Sequence, residues 1–255
     1  KFMKRAFVAL VLLFLYAPIV VLIVNSFNAS RLRGSWDGFT LQWYVNLFND
    51  REVLRALYNT LLIAILATLI STVIGTLAAL GIHSLRKNTR SVVMNLNYLP
   101  VLNPDIVTAV ALMLLFGFAG LKLGFLTLLL AHVSFTIPYV VLSVLPKLDQ
   151  MNPNLFEAGL DLGAEPMYAL RKIVLPEISP GIVTGALLAF TLSIDDFVIS
   201  FFTTGHGVAN LSTTIFSMAR RGINPVINAL STLMFIAMIV LLLIINRRTR
   251  EEENE

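Results

Sequence analysis

The chain has 255 residues, of which 57% are hydrophobic and only 13% are charged. Soluble domains carry about 25% charged residues, so this composition excludes a soluble enzyme and indicates an integral membrane protein. The chain has no cysteine, which excludes disulfides and thiolate metal sites, and its net charge of +4 comes from basic residues beside apolar runs, so no nucleic-acid partner is expected.

Six apolar runs are each long enough to cross the hydrocarbon core of a bilayer as a helix. They cover residues 6–24, 61–82, 101–118, 125–145, 182–202 and 226–245. The first run is longer than the apolar region of a signal peptide and no cleavage site follows it, so we interpret it as an uncleaved transmembrane helix. Asn103, Pro104 and Asp105 interrupt the start of the third run, where we expect a broken helix with Asp105 as its N-cap.

The distribution of basic residues predicts which side of the membrane each connection occupies. If both termini are cytoplasmic, the cytoplasmic segments hold twelve of the 19 Lys and Arg residues. The sequence therefore predicts a multi-pass, all-α membrane protein with a single transmembrane domain over residues 1–255 and both termini in the cytoplasm. The acidic tail at residues 250–255 is expected to be disordered.

The long polar interval of the second half, residues 152–176, lies between the fourth and fifth runs and on the cytoplasmic side in this topology. Asn152 is placed to cap a short helix, which Gly163 ends in a left-handed turn. Pro166 is placed to start a second short helix, which Pro176 is expected to stop. The first helix carries so many apolar side chains for its length that a partner is expected to cover it.

Two adjacent carboxylates, Asp195 and Asp196, lie inside the fifth run, where charge is costly and often functional. At helical spacing Asp196 shares its face with small or polar residues, namely Gly185, Ala189, Ser193, Ser200 and Thr203. Asp195 shares its face mainly with Leu188, Leu192, Ile199 and Phe202. We therefore expect Asp196, with Ser193 and Ser200 and with Asp195 beside them, to line a path for a cationic substrate. The alternatives are close helix packing through the small residues and a structural partner for the carboxylate. His132 in the fourth run is interpreted as a packing residue with satisfied hydrogen bonds.

The polar interval resembles the cytoplasmic loop of bacterial ABC importer permeases. Its residues match the E-A-A, G, I-x-L-P signature of that loop at Glu157, Ala158, Gly163, Ile173, Leu175 and Pro176. Gly159 stands where the signature has its second Ala, a small residue that weakens the helix by roughly 1 kcal/mol. The resemblance implies a type I ABC importer permease fold of six transmembrane helices, in which residues 152–176 hold a cytoplasmic coupling helix.

The likeness extends over nearly the whole chain to the spermidine/putrescine importer permeases, and to their C-type subunit. It is carried by the motifs FTLSIDD at 190–196, NPDIV at 103–107, DLGA at 161–164, YAP at 16–18 and NSFN at 25–28, and by Asn224-Pro225. What this resemblance implies is polyamine transport into the cytoplasm across a bacterial inner membrane. It also implies a heterodimer with a B-type permease, two copies of an ATPase and an extracytoplasmic polyamine-binding protein.

No phosphate-binding G-x-x-x-x-G-K-[ST] motif is present, so ATP and Mg are expected on the partner ATPase and no catalytic residue, cofactor or metal in this chain. Three alternatives remain. A related ABC importer permease for another small solute would share the cytoplasmic signature. A secondary transporter using Asp196 as a proton or sodium site would not need the signature at Glu157. An intramembrane aspartyl protease would need Tyr-Asp and Gly-x-Gly-Asp motifs, which the sequence lacks.

Overall fold

The computed structural model describes residues 2–31, 35–205, 207–221 and 225–252. Within these residues the regular structure is helical, apart from one isolated bridge between Asn28 and Phe39. The helices are α1 (Phe2–Ser26), α2 (Gln42–Asn49), α3 (Arg51–His83), α4 (Lys87–Leu102), α5 (Asp105–Phe118), α6 (Phe125–Gln150), α7 (Asn154–Asp161), α8 (Pro166–Ala169), α9 (Leu175–Glu177), α10 (Ser179–Asp195), α11 (Val198–Thr203), α12 (Leu211–Arg221) and α13 (Pro225–Glu252). The predicted all-α class is confirmed.

Among the described residues, three helices are long and apolar enough to cross a membrane: α1, α3 and α6. Two further candidates are bent pairs, α4 with α5 at 103° and the segment Pro166–Glu177 with α10 at 68°. A shorter apolar helix covers Pro225–Val240. The predicted count of six spans stays a prediction.

The break expected at the start of the third predicted span is confirmed between α4 and α5. The N-cap position of α5 is Pro104, not Asp105 as the sequence predicted. Asp105 lies one residue further on, in the first turn, where its negative charge suits the positive end of the helix dipole. The carboxylate thus occupies a favourable helix position one residue beyond the observed N-cap.

The chain divides into two compact units, Lys1–Leu54 with Thr214–Glu255, and Arg55–Thr213. In the first unit α13 packs against α1 and α2, and the buried Trp43 of α2 donates a hydrogen bond of 2.7 Å to the Asn28 carbonyl. Helix α13 continues to Glu252, so residues 250–252 of the tail predicted to be disordered are helical, while 253–255 lie outside the described residues. The single domain predicted from the sequence stays a prediction.

The second unit is built on α6, which packs closely against α3 and α10. A Cβ atom at Gly75 of α3 would lie 2.7 Å from Val140 Cβ, and one at Gly185 of α10 would lie 3.1 Å from Val140 Cα. A side chain at Gly75 would therefore clash with Val140, and one at Gly185 would force α6 to move slightly away. An apolar group that we call the α6 cluster lies here and comprises Ala79, Ile82, Val140, Val141, Val144, Leu145, Leu148, Val174, Ile178 and Ala189.

Candidate functional sites: the polar loop and the break between α10 and α11

The polar interval folds into two short helices, as its capping residues predict. Asn152 Oδ1 accepts a hydrogen bond of 3.0 Å from the backbone N–H of Asn154, at the start of α7. Gly163 ends the turn after α7 with φ at +84°, a conformation that glycine adopts without strain. Pro166 begins α8. The left-handed turn predicted at Gly163 is confirmed, while the N-cap position of α7 is Pro153, one residue after the predicted Asn152, whose side chain still bonds to the start of the helix.

Pro176 does not stop the second helix, contrary to the sequence prediction. The helical segment runs on from Pro166 to Glu177, and Leu170–Val174 within it form a π-turn. In this turn the Leu175 N–H bonds to the Leu170 carbonyl, five residues back. Proline removes a backbone donor, and a π-turn is a known way for a helix to absorb such an irregularity. The helical direction changes only after Glu177.

One aromatic residue and one glycine pack α7 against the rest of the second unit. Phe156 packs against the α6 cluster. Gly159 is buried, and a Cβ atom there would lie 2.5 Å from Ile173 Cδ1. The departure from the Ala of the family signature therefore has a local cause, since Ile173 occupies the space that an alanine methyl group would need.

The same loop also carries exposed apolar side chains, which we call the outer face. It comprises Leu155, Leu162, Met167 and Tyr168. Leu162 is the most exposed of them, at 89%. Glu157 and Ala158 are exposed beside these residues. An apolar surface of this kind on a polar loop is typical of a site for another protein.

The second site lies where the fifth predicted span is interrupted. The span is not one helix, because α10 ends at Asp195 and α11 begins at Val198. Asp196 has an extended backbone, and its carboxylate caps α11. Asp196 Oδ1 accepts from the N–H of Ile199 at 3.1 Å, and Oδ2 accepts from the N–H of Ser200 at 2.7 Å. These bonds supply partners for the orphan donors of the new helix start.

His132 of α6 joins the two helices across this break. Its Nδ1 lies 2.7 Å from Ser193 Oγ on α10, its Nε2 lies 2.9 Å from Ser200 Oγ on α11, and Nε2 lies 3.6 Å from Asp196 Oδ2. We call these four residues the His132 cluster. Both ring nitrogens have partners, so the interpretation of His132 as a satisfied packing residue is confirmed. Within the described residues no group of three or more His, Cys, Asp or Glu side chains could hold a metal ion.

The sequence predicts that Asp196 is the carboxylate on the open path, but the structure buries the Asp196 side chain and exposes Asp195. The stripe expected to line an open path is buried, and only 7% of the Asp196 side chain is exposed. Asp195 is the exposed carboxylate. The stripe stays on one side of the chain across the break, since His132 contacts both Ser193 and Ser200, but that side packs on α6 and lines no open path. The alternative interpretations of the stripe, close helix packing and a structural partner for the carboxylate, describe these contacts better.

Comparison with known proteins assigns the chain to a family. Residues 71–249 match the family described as the binding-protein-dependent transport system inner membrane component. The chain belongs to this family. The permease is 38% identical over 253 residues to the spermidine/putrescine transport system permease protein PotC of Haemophilus influenzae, covering 99% of this chain and 98% of that protein. It is also 38% identical over 227 residues to the putrescine transport system permease protein PotI of Escherichia coli, covering 86% and 81% of the two chains.

A solved structure shows the same fold. The permease matches a crystal structure of a bacterial ABC transporter involved in the import of the acidic polysaccharide alginate, with a TM-score of 0.73 and 21% identity, covering 98% of this chain and 94% of that one. The family match and the two relatives confirm the family resemblance seen in the sequence. The chain is a membrane-embedded component of a transport system, and its fold is that of ABC importer permeases.

Proposed function

We propose that this permease is one transmembrane subunit of an ATP-driven importer that carries polyamines into the cytoplasm. The proposal is supported by the 38% identity over 99% of the chain to a protein named as a spermidine/putrescine permease. In the proposed arrangement the chain crosses the bacterial inner membrane six times with both termini cytoplasmic. It pairs with a second permease and receives its substrate from an extracytoplasmic binding protein.

The single observation that carries the energy-coupling part of the proposal is the outer face of α7 and α8. Its apolar side chains are exposed, while Phe156 packs α7 on the α6 cluster and Gly159 packs it on Ile173. A helix that is held in place by such contacts and still exposes apolar side chains can receive a partner without rearranging itself. We propose that α7 docks into an ATPase subunit, present in two copies, which binds the ATP and Mg that drive transport.

The substrate part of the proposal assigns different roles to the two carboxylates. Asp195 is exposed at the end of α10, in the predicted membrane span. A carboxylate in such a place attracts a cation, and an ammonium group of a polyamine would supply the opposite charge. Asp196 is engaged in capping α11, so we propose that it fixes the break and thereby the direction of Asp195. Ser193 and Ser200 belong to that fixed framework.

The test is uptake of radiolabelled spermidine by cells that lack their own polyamine importers and express the complete system. Asp195→Asn keeps the size of the side chain but removes its charge, so we expect uptake to fall roughly tenfold with assembly unchanged. Asp37→Asn, which removes an exposed carboxylate from the loop between α1 and α2, is the matched control and should leave uptake unchanged.

Each outcome bears on a different part of the proposal. If cells expressing the wild-type system take up no spermidine or putrescine while the assembled system still hydrolyses ATP, the permease belongs to an importer of another small solute. Normal uptake by the Asp195→Asn variant would remove Asp195 from the path while leaving the polyamine assignment in place. Equal loss in the Asp195 variant and the Asp37 control would show a general charge effect and no specific site.

A further inference from the structure

One carboxylate, that of Asp149, joins three helices at the end of α6 that leads into α7. Its Oδ1 lies 3.0 Å from Nδ1 of His83, the last residue of α3. Its Oδ2 accepts a hydrogen bond of 2.6 Å from Nη2 of Arg90, in the first turn of α4. We call His83, Arg90 and Asp149 the Asp149 clamp. Each carboxylate oxygen therefore has its own partner on a separate helix.

Two members of the clamp occupy helix ends at which their charge is unfavourable. Asp149 lies in the last turn of α6, the negative end of that helix, and Arg90 lies near the positive end of α4. The pair is partly exposed, and such ion pairs contribute little to stability. Stability alone therefore does not account for this placement. What the pair does provide is a fixed distance between the ends of the helices.

The Asp149 clamp lies beside the apolar cluster on which α7 rests. The residues directly before His83 and Asp149 are Ile82 and Leu148, and both are buried in the α6 cluster. Phe156 of α7 packs against the same cluster. Packed side chains therefore connect α7 to the clamp, and so does the short stretch of backbone that joins α6 to α7.

We infer that the Asp149 clamp transmits movement of α7 to the ends of α3 and α4 during the transport cycle. The inference rests on the proposed docking of α7 to an ATPase, since the clamp has nothing to transmit if α7 is not moved. Asp149 is a positioning residue in this scheme, because it acts through His83 and Arg90 and has no contact with substrate or nucleotide. Loss of the clamp uncouples ATP hydrolysis from transport.

The test uses the complete transporter in proteoliposomes with spermidine-loaded binding protein, and it measures spermidine taken up per ATP hydrolysed. We expect Asp149→Asn and Arg90→Gln each to lower this ratio roughly threefold to tenfold, with ATPase association unchanged. The double variant should be no worse than either single one, because both side chains act through one contact. Lys87→Gln removes an exposed basic charge from the same turn of α4 and is the matched control, with an unchanged ratio.

Several results would overturn the inference. These are an unchanged ratio in both single variants, single losses that multiply in the double variant, and loss of ATPase association, which would show a merely structural role.

Failure of the proposed substrate is seen separately, because the wild type would then take up no spermidine. In that case the readout is the ATP-dependent change in distance between spin labels at Ser84→Cys and Glu165→Cys in this cysteine-free chain. A change that persists in Asp149→Asn would then overturn the inference.

Discussion

Apolar side chains are usually buried and polar ones exposed, and two regions of the molecule depart from this pattern in opposite ways: the outer face of the polar loop and the His132 cluster. In the loop, a polar stretch of sequence exposes apolar side chains, with Leu162 at 89% exposure. At the break between α10 and α11, an apolar stretch buries polar ones, with His132 and Ser193 each at 2% exposure or less. Both placements cost free energy in an isolated chain.

The two regions differ in how that cost is offset. Each polar atom of the His132 cluster that caps or bridges the break has a partner within the chain, so the cluster is complete without another molecule. The free-energy cost of exposing the outer face is offset only when another protein covers it. The difference separates a joint that sets the internal geometry of the permease from a surface that connects it to a partner.

The largest effect is expected from His132→Ala, which tests whether the cluster is a joint. The substitution leaves the buried hydroxyls of Ser193 and Ser200 without the imidazole nitrogens that they contact. It also leaves a cavity where the imidazole ring packs between α6, α10 and α11. We expect destabilisation of about 2–4 kcal/mol, since buried unpaired polar groups and cavities are the usual causes of large losses. The measurement is the thermal unfolding midpoint of the purified permease assembly.

Two further variants are compared with His132→Ala in the same measurement. Ser134→Ala removes an exposed hydroxyl from the same helix, which bonds only locally to the Leu130 carbonyl, and it should leave the midpoint unchanged. Asp196→Asn keeps one acceptor oxygen for the start of α11 and should cause a smaller loss than His132→Ala, about 1–2 kcal/mol. A midpoint that is equally high in all three variants would show that the cluster is not a joint.

A smaller effect, confined to partner binding, is expected from substitutions on the outer face. Leu162→Ala removes apolar area that only a partner would bury, so we expect association with the ATPase to weaken by about 1–3 kcal/mol and the midpoint of the permease itself to stay constant. Glu157→Gln tests the charged residue of the same surface and should weaken the same association. A pull-down with the ATPase measures both.

The control for this surface is an exposed leucine elsewhere in the second unit. Leu126→Ala lies at the opposite end of α6 from the loop and is 57% exposed. Its association with the ATPase should equal that of the wild type. Normal association of the Leu162 and Glu157 variants would contradict the docking role of the outer face, and the comparison between the two regions would then fail on that side.

Local signals in the sequence were sufficient to predict α7 and its cap. Asn152, Gly163 and Pro166 each act through their own backbone or the next two residues, so their effect does not depend on the rest of the fold. The break at Asn103 and Pro104 was predictable for the same reason. Long apolar runs likewise predicted α1, α3 and α6, because length and composition alone decide whether a helix can cross a bilayer.

What could not be predicted depends on contacts between helices. Helical spacing places Ser193, Asp196 and Ser200 on one side of the span, but the partner that holds them, His132, lies on another helix, 61 positions before Ser193 in the sequence. The π-turn before Pro176 and the fit of Ile173 against Gly159 are also tertiary features. Sequence spacing carries no information about which helix face meets which neighbour.

The smallest effect is expected from Gly159→Ala, which restores the alanine of the family signature. Alanine favours α7 by about 1 kcal/mol over glycine. Its Cβ atom would, however, lie 2.5 Å from Ile173 Cδ1, so Ile173 must leave its present rotamer, at a cost of about 0.5–1.5 kcal/mol. The two terms nearly cancel, and we expect a midpoint change corresponding to less than about 1 kcal/mol.

The cancellation is tested by removing the atom that causes the clash. Ile173→Val deletes Cδ1, so Gly159→Ala combined with Ile173→Val should be more stable than the two single changes predict together, by about 0.5–1 kcal/mol. Gly81→Ala in α3, where a Cβ atom would meet nothing within 4 Å, reports the gain in helix propensity alone. If the stability changes of the two single variants simply add in the double variant, Ile173 changes its rotamer without cost. In that case Phe156 holds α7 in place with little help from Gly159. The outer face would then rest on a looser support, and a substitution there would alter the position of α7 as well as its affinity for the ATPase.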